Sequence, residues 1–196
     1  NDTVYDIDLS YDHSDKIIYT KEINIENEKT TTEISKIDAT NNQELEGAHL
    51  SLKDKNGNII EEWISGKEAH IIRGLLAGEK YTLHEDLAPI GYATASDVTF
   101  TVNADGTPTK VTMKDEITKV DISKVDATNQ KEIEGAKLTL TDKETGKVVE
   151  SWTSKKEPHR IEGLEVGKVY ILHEDLAPAG YEVANDVEFT IADTGE

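Results

Sequence analysis

The sequence predicts an all-β protein made of tandem β-sandwich modules, and two observations support this prediction. Short stretches such as Ala48–Lys53 alternate apolar and polar residues, as half-buried strands do, and turn sequences such as Asp54–Asn58 separate them. In addition, the stretch ISKIDATNNQELEGAHLSLKDKNGNIIEEWIS from Ile34 recurs from Ile122 as ISKVDATNQKEIEGAKLTLTDKETGKVVESWTS. The copies lie 88 residues apart, a period too long for a solenoid, which indicates two tandem domains.

The composition restricts the classes of function. The 196-residue chain has 36% hydrophobic and 31% charged residues, which is typical of folded and very soluble domains. Its formal net charge of -19 argues against binding to nucleic acid or to an anionic membrane surface. No apolar run reaches the roughly 18 residues of a membrane-spanning helix, and the absence of cysteine excludes disulfides and thiolate metal sites. No signal peptide begins the chain, so we expect a cytosolic protein or a fragment already separated from its targeting segments.

The repeat predicts module one at residues 31–118 and module two at residues 119–196. Module one closes with a strand, PTKVTMKDE, for which module two shows no counterpart. Residues 1–30 are expected to be the closing β-hairpin of a preceding module, because Ile23–Lys36 aligns without gaps on Val111–Lys124. The segments EKTTTE and EITKVD are predicted to be short linkers between modules.

Three predicted strands of module one each place an ionisable side chain at the end of an apolar, core-facing row. These side chains are Lys36 after Ile34, Glu85 after Leu83 and Asp115 after Met113. A charged group that continues a buried row costs several kcal/mol unless it is neutralised, paired or in use. The three rows therefore predict that these side chains lie close together in the core. The matching side chains elsewhere in the chain are Lys124, Glu174 and Asn27.

An amine and two carboxyls that share a buried site support two interpretations. Burial favours the neutral forms, and a neutral amine held against a protonated carboxyl is a nucleophile facing an electrophile. Fixed alignment provides effective molarities of about 10⁵–10⁸ M, enough to drive a condensation that fails in free solution. The second carboxyl would then act as general acid and base. A lysine between two acids is, however, more commonly a buried salt-bridge cluster, and alternation alone leaves both interpretations open.

Longer motifs of module one carry a family resemblance. SKIDATNNQELEGAHLSLKDKNGNIIEEWIS, GEKYTLHEDLAPIGY and FTVNADGTPTKVTMKD closely resemble the collagen-adhesin B-type (Cna B-type) domains of Gram-positive surface proteins and pilins. The resemblance implies an immunoglobulin-like or prealbumin-like sandwich, in which a lysine forms an intramolecular isopeptide bond with an Asp or Asn, assisted by a glutamate. Carried over to this sequence, Lys36 is the nucleophile, Asp115 is the acceptor and Glu85 is the catalyst.

Outside module one the carry-over is incomplete. Lys124 and Glu174 match in module two, but the acceptor position is missing there, so we expect an open sheet edge beside the opening strand. Asn27 matches an acceptor whose lysine would lie upstream of residue 1. Two accounts of these ends are kept. Either both are cuts made when the fragment was defined, or the leading hairpin of one chain docks on module two of another and places Asn27 against Lys124.

Other motifs are interpreted as structural. The HED sequences at His84 and His173 lack the second histidine of a zinc-protease helix, and the alternation turns both histidines outward. Asp54–Asn58 is interpreted as a turn because its glycine is misplaced for a calcium loop. Trp63 and Trp152 are predicted to be packing residues. No cofactor and no metal ion are expected.

These observations predict a structural repeat in the stalk of a bacterial surface adhesin or of a pilus-like shaft. The expected location is extracellular, on a Gram-positive cell wall to which other regions anchor the protein. The expected partners are neighbouring modules, with host extracellular matrix bound through other domains, and turnover catalysis is not expected. The alternatives are a ligand-binding adhesin module for host matrix and an accessory module of a secreted enzyme.

Overall fold

The computed structural model describes residues 27–192, in which every regular element is a β-strand. The strands of module one are β1 (Thr31–Asp38), β2 (His49–Lys53), β3 (Ile59–Ile64), β4 (His70–Arg73), β5 (Lys80–Leu87), β6 (Val98–Thr101) and β7 (Thr109–Asp115). Those of module two are β8 (Lys119–Ile122), β9 (Lys137–Asp142), β10 (Val148–Thr153), β11 (His159–Glu162), β12 (Val169–Leu176) and β13 (Val187–Thr190). This arrangement confirms the predicted fold class of tandem all-β modules.

Module one is a sandwich of two sheets. Three strands form one sheet in the order β4-β1-β7, and four strands form the other in the order β3-β2-β5-β6. The central strand β1 pairs antiparallel with β4 and parallel with β7. The first and last strands of the module are therefore neighbours, although the whole module separates them in sequence.

The core of module one lies between its two sheets and follows from the alternation of the strands. In β7, every second residue from Thr109 to Asp115 is buried and the intervening residues are exposed. The core side chains are Ile34, Ala48, Leu50, Leu52, Ile72, Leu75, Tyr81, Leu83, Val102, Val111 and Met113. Each large side chain among them contributes about 1.5–3 kcal/mol by leaving water, which is what holds the two sheets together.

Module two repeats this plan with six strands, since β8–β13 follow the order of β1–β6. Its four-stranded sheet has the order β10-β9-β12-β13, and β8 pairs with β11. Within residues 27–192, no strand occupies the position beside β8 that β7 occupies beside β1. The edge of β8 is open in this part of the chain.

The predicted linkers are partly wrong. Thr31–Glu33 and Lys119–Asp121 are already strand residues, because their backbones pair with the edge strands β4 and β11. Thr32 and Val120 continue the core-facing rows of the opening strands toward their N-terminal ends. The connection between modules shrinks to Glu116–Thr118. The predicted hairpin of the first thirty residues falls almost entirely outside the described residues.

Candidate functional site

The fold brings together the three ionisable side chains that end the apolar rows of module one. Lys36 lies in β1 and Asp115 in the parallel neighbour β7, where Lys36 is opposite Met113. Glu85 lies in β5, in the facing sheet. The exposed fraction is 2% for Lys36, 2% for Glu85 and 0% for Asp115. We call these three residues the buried cluster.

The contacts in the buried cluster are direct. The Lys36 Nζ atom contacts Asp115 Oδ1 and lies 2.9 Å from Glu85 Oε1. The other carboxylate oxygen of Glu85 accepts a hydrogen bond of 2.6 Å from the backbone N–H of Ala95. This bond orients the glutamate toward the lysine, and two oxygens, Glu85 Oε1 and Asp115 Oδ2, have no well-directed hydrogen-bond donor among the described residues.

The electrostatics of the buried cluster favour a proton on Asp115. Burial raises the pKa of the Asp115 carboxyl to about 7, the Lys36 ammonium opposes this rise, and the nearby Glu85 carboxylate adds to it. A large fraction of this carboxyl is consequently neutral at pH 7. The neutral acid is the form whose carbonyl carbon an amine can attack, because a carboxylate repels the nucleophile.

In module two the structure assembles two of the three groups. The Lys124 Nζ atom lies 3.2 Å from both carboxylate oxygens of Glu174, and Ala184 N–H donates to Glu174 Oε2 at 2.6 Å. The Lys124 side chain is 17% exposed, against 1% for Lys36. This difference follows from the open edge, since no acceptor strand covers the lysine within the described residues. Asn27 is exposed and precedes β1.

Two supporting contacts were missed in the sequence. The Tyr92 hydroxyl donates to Asp38 at 2.9 Å, just beyond Lys36, and the equivalent Tyr181 hydroxyl donates to Asp126 at 2.9 Å. These bonds tie the loop after β5 or β12 to the end of the opening strand. The hydrogen bonds from the backbone N–H of Thr40 and from the Tyr92 hydroxyl hold the pKa of Asp38 below its usual value. The sequence could have indicated these contacts, because the tyrosine and the aspartate recur at equivalent positions in both copies of the repeat.

The backbone of Lys36 is also fixed by a side chain that the pattern did not single out. The N–H of Lys36 donates to Glu44 Oε2 at 3.2 Å, and the N–H of Lys124 donates to Glu132 Oε2 at 3.1 Å. In both modules, a glutamate from the following loop therefore reaches back to the opening strand. The repetition indicates that it belongs to the architecture of the module.

The remaining candidates have structural contacts. His84 and His173 bond to Asp97 and Asp186, each at 2.6 Å, and residues 27–192 contain no group of three or more side chains arranged to hold a metal ion. The same range contains no helix that could span a membrane. Trp63 packs against the module-one core and stacks on His70 with ring centroids 4.4 Å apart, which confirms its predicted packing role.

The sequence was then compared with known proteins. A family model described as the SpaA prealbumin-like fold domain matches residues 30–117 and, a second time, residues 118–196. The chain belongs to this family. The resemblance drawn from the motifs is thereby confirmed, and the two modules are SpaA prealbumin-like domains. No curated protein matches the sequence at a significant level.

Solved structures share this fold at low sequence identity. The Bacillus anthracis TIE protein matches with 24% identity and a TM-score of 0.50, over 84% of this chain and 32% of that protein. A streptococcal ancillary pilin matches with 22% identity and a TM-score of 0.44, over 86% and 60% of the two chains. The shaft pilin SpaA from Lactobacillus rhamnosus GG matches with 14% identity and a TM-score of 0.38, over 85% and 94%. The chain thus spans about a third of the first of these proteins.

Proposed function

We propose that the chain is a structural repeat of a bacterial surface stalk or pilus-like shaft, in which module one is locked by a self-formed isopeptide bond. The bond joins Lys36 to Asp115 with the assistance of Glu85. The observation that supports this proposal most directly is the buried cluster itself, an amine in contact with a carboxyl and a second carboxyl at 2.9 Å.

The chemistry is a condensation within the core. The neutral Nζ of Lys36 attacks the carbonyl carbon of protonated Asp115, and a C–N bond forms while the C–O bond to the hydroxyl breaks. Glu85 accepts a proton from the nitrogen and delivers it to the leaving hydroxyl, so that one water is released and the glutamate is regenerated. Packing holds the reactants in line, which replaces the entropy that a reaction in free solution would lose.

The bond gives the module a mechanical role. Tension that enters at Thr31 would run along β1 to Lys36, cross the amide and leave at Asp115. The 79-residue span between the two bonded side chains lies outside this path, so its hydrogen bonds carry no load. The chain acts once on itself and turns over no substrate.

The biological setting of this proposal follows from the resemblance to surface-protein and pilin domains. The proposal has the chain outside a Gram-positive cell, anchored to the cell wall through other regions, with neighbouring modules as its first partners. A matrix-binding module would be supported by a contiguous exposed apolar or aromatic patch. The two tryptophans do not supply one, because Trp63 and Trp152 are half-buried and each stacks on a histidine.

The intact mass of the purified chain tests the bond directly. We expect a mass lower by one water than the mass of the sequence, because Lys36 and Asp115 are cross-linked as the module folds. Trypsin digestion should then release one branched peptide that contains both residues. The control is Lys36→Arg, which keeps the positive charge but cannot form this amide and should have the unmodified mass. An unmodified mass for the parent chain would identify the buried cluster as a salt bridge.

The open edge of module two provides a second test. A synthetic peptide with the sequence PTKVTMKDE should pair with β8 as β7 pairs with β1, and its aspartate should become bonded to Lys124 with loss of water. A denaturing gel should show a shifted band. The band should be absent with Lys124→Ala, and also with a peptide whose aspartate is alanine. A band that survives in either control would rule out the proposed bond between Lys124 and the peptide aspartate.

A further inference from the structure

Thr118, a buried residue of the linker, forms hydrogen bonds to both modules. Its hydroxyl donates a hydrogen bond of 2.6 Å to the carbonyl of Leu164, and its own carbonyl accepts one of 3.0 Å from Gly163 N–H. On the other side, Thr118 N–H donates to the carbonyl of Gly91 at 2.9 Å. The exposed fraction of Thr118 is 0%. One linker residue is thus bonded to a turn of module one and to a turn of module two, and we call these four residues the joint.

The two turns of the joint are in direct backbone contact. A Cβ atom built on Gly91 would lie 2.9 Å from the carbonyl oxygen of Gly163, a distance that real Cβ atoms do not adopt. Gly91 also has a φ of +86°, which favours glycine. Any side chain at this position would push the modules apart. The joint is consequently a tight contact between the modules, where the sequence predicted only a short linker.

Half of the same joint occurs before module one. The Thr30 hydroxyl donates to the carbonyl of Leu75 at 2.6 Å, and Gly74 N–H donates to the carbonyl of Thr30 at 2.9 Å. These contacts are those of Thr118 with Leu164 and Gly163, one repeat earlier. The same pair of threonine contacts therefore recurs at the start of both modules.

The other half of the joint occurs after β12. Pro178–Tyr181 has the conformation of the Gly91 turn, since Tyr181 N–H bonds to the Pro178 carbonyl at 3.1 Å and Gly180 has a φ of +90°. The corresponding bond in module one, from Tyr92 N–H to the Pro89 carbonyl, is also 3.1 Å.

A comparison of the joint residues with their counterparts in the other repeat shows what the joint buries. Gly91 is buried between the modules, whereas its counterpart Gly180 is exposed. Gly163 is half-buried, whereas its counterpart Gly74 is exposed beside Leu76, which is 67% exposed. Because the paired residues have the same local fold, we attribute the difference in exposure to the neighbouring module that covers Gly91 and Gly163 in this structure.

We propose that two surfaces of this chain are complementary and form a contact equivalent to the joint. One is the turn Gly74–Leu76 with Thr30, and the other is the turn Pro178–Tyr181. Each surface binds another prealbumin-like module in head-to-tail orientation, so that the Gly180 turn of one module packs against the Gly74 turn of the next. Such a contact is heterologous and does not close on itself, so repeated use builds a straight or helical shaft of rigid joints. The proposal concerns module order and contact, and it does not require the isopeptide bond.

The test adds one module to the full chain. A second copy of residues 30–117 is inserted between Lys29 and Thr30, so that Gly91 of the added copy faces Gly74. The chain contains no cysteine, so Asn56→Cys in two modules allows specific spin labelling. The first measurement is the distance distribution between labels at Asn56→Cys in the added copy and in module one. The reference is the distribution between Asn56→Cys and Glu144→Cys across the natural joint. We expect the two distributions to agree in mean and width once the different label sites are taken into account. A broad distribution at the new junction alone would overturn the proposal.

Two matched variants make the test specific to the joint. Gly91→Ala in the added copy should broaden the distribution, because its Cβ meets the facing turn. Gly57→Ala should leave the distribution narrow, since Gly57 has a similar φ of +84° and open space around its Cβ position. If both variants broaden the distribution equally, the contact is not the cause. Repeating the measurement in the Lys36→Arg background separates the joint from the isopeptide bond, since the distribution should stay narrow when no amide forms.

Discussion

Asp115→Ala is expected to lower the free energy of unfolding of module one by about 4.5 kcal/mol, the chain-entropy value for a cross-link that closes a loop of 79 residues. Small domains shift by about 4–8 °C per kcal/mol, so the melting temperature should fall by roughly 20–35 °C. The variant isolates the cross-link well, because Lys36 and Glu85 remain as a balanced ion pair at 2.9 Å. Thermal unfolding followed by circular dichroism, with intact mass in parallel, measures the effect.

The matched control is Asp115→Asn, which keeps the shape of the acceptor. Its amide carbonyl can still be attacked by Lys36, with ammonia as the leaving group in place of water. We expect this variant to recover most of the lost stability and to have a mass lower than that of its sequence by one ammonia. Equal melting temperatures for Asp115→Ala and the parent chain would show that no bond stabilises module one.

Glu85→Ala should leave the fold intact and slow amide formation by about 10²–10⁴-fold, the usual contribution of a general acid and base. Freshly purified variant should then retain the unmodified mass. Lys36 and Asp115 would persist as an ion pair in the core, so the melting temperature should approach that of Asp115→Ala. Intact mass followed over time at constant pH measures the rate.

Two further variants separate catalysis from packing. Glu85→Gln keeps the side-chain volume and an oxygen that can accept the hydrogen bond from Ala95 N–H, but it cannot relay a proton, so it should also remain unbonded. Glu174→Ala removes the equivalent residue of module two and should leave the bond of module one unaffected. A Glu85→Gln chain that loses water as fast as the parent would remove Glu85 from the mechanism.

The sequence predicted which face of each strand the site residues occupy better than it predicted which strands lie side by side. Alternation alone placed Lys36, Glu85 and Asp115 on buried faces, because a strand has a fixed period of two and the core requires apolar neighbours. It could not place β1 beside β7, since no local pattern specifies a parallel pairing between the ends of a module. The adjacency of β1 and β7 could be expected only from the family resemblance, because the family fold implies a topology that the residue pattern does not specify.

The joint was missed for a different reason. The linker Glu116–Thr118 is too short to show a periodic pattern. Its role depends on hydrogen bonds between Thr118 and two turns, which no hydrophobic pattern reports. The glycines of these turns were visible in both repeats. Their meaning required the distance between Gly91 and Gly163, because a turn glycine and a contact glycine look alike in sequence.

The parallel pairing of β1 with β7 also sets an order in time. A chain made from its N-terminus presents Lys36 long before Asp115 exists, and at about 5–20 residues per second the delay over 79 residues is roughly 4–16 s. During this interval the central strand of the three-stranded sheet lacks one neighbour, and the amine has no acceptor within its own module. In the proposed mechanism module one can therefore be cross-linked only after nearly all of it has been synthesised, so that the proposed bond would follow a completed fold and would not trap an early one.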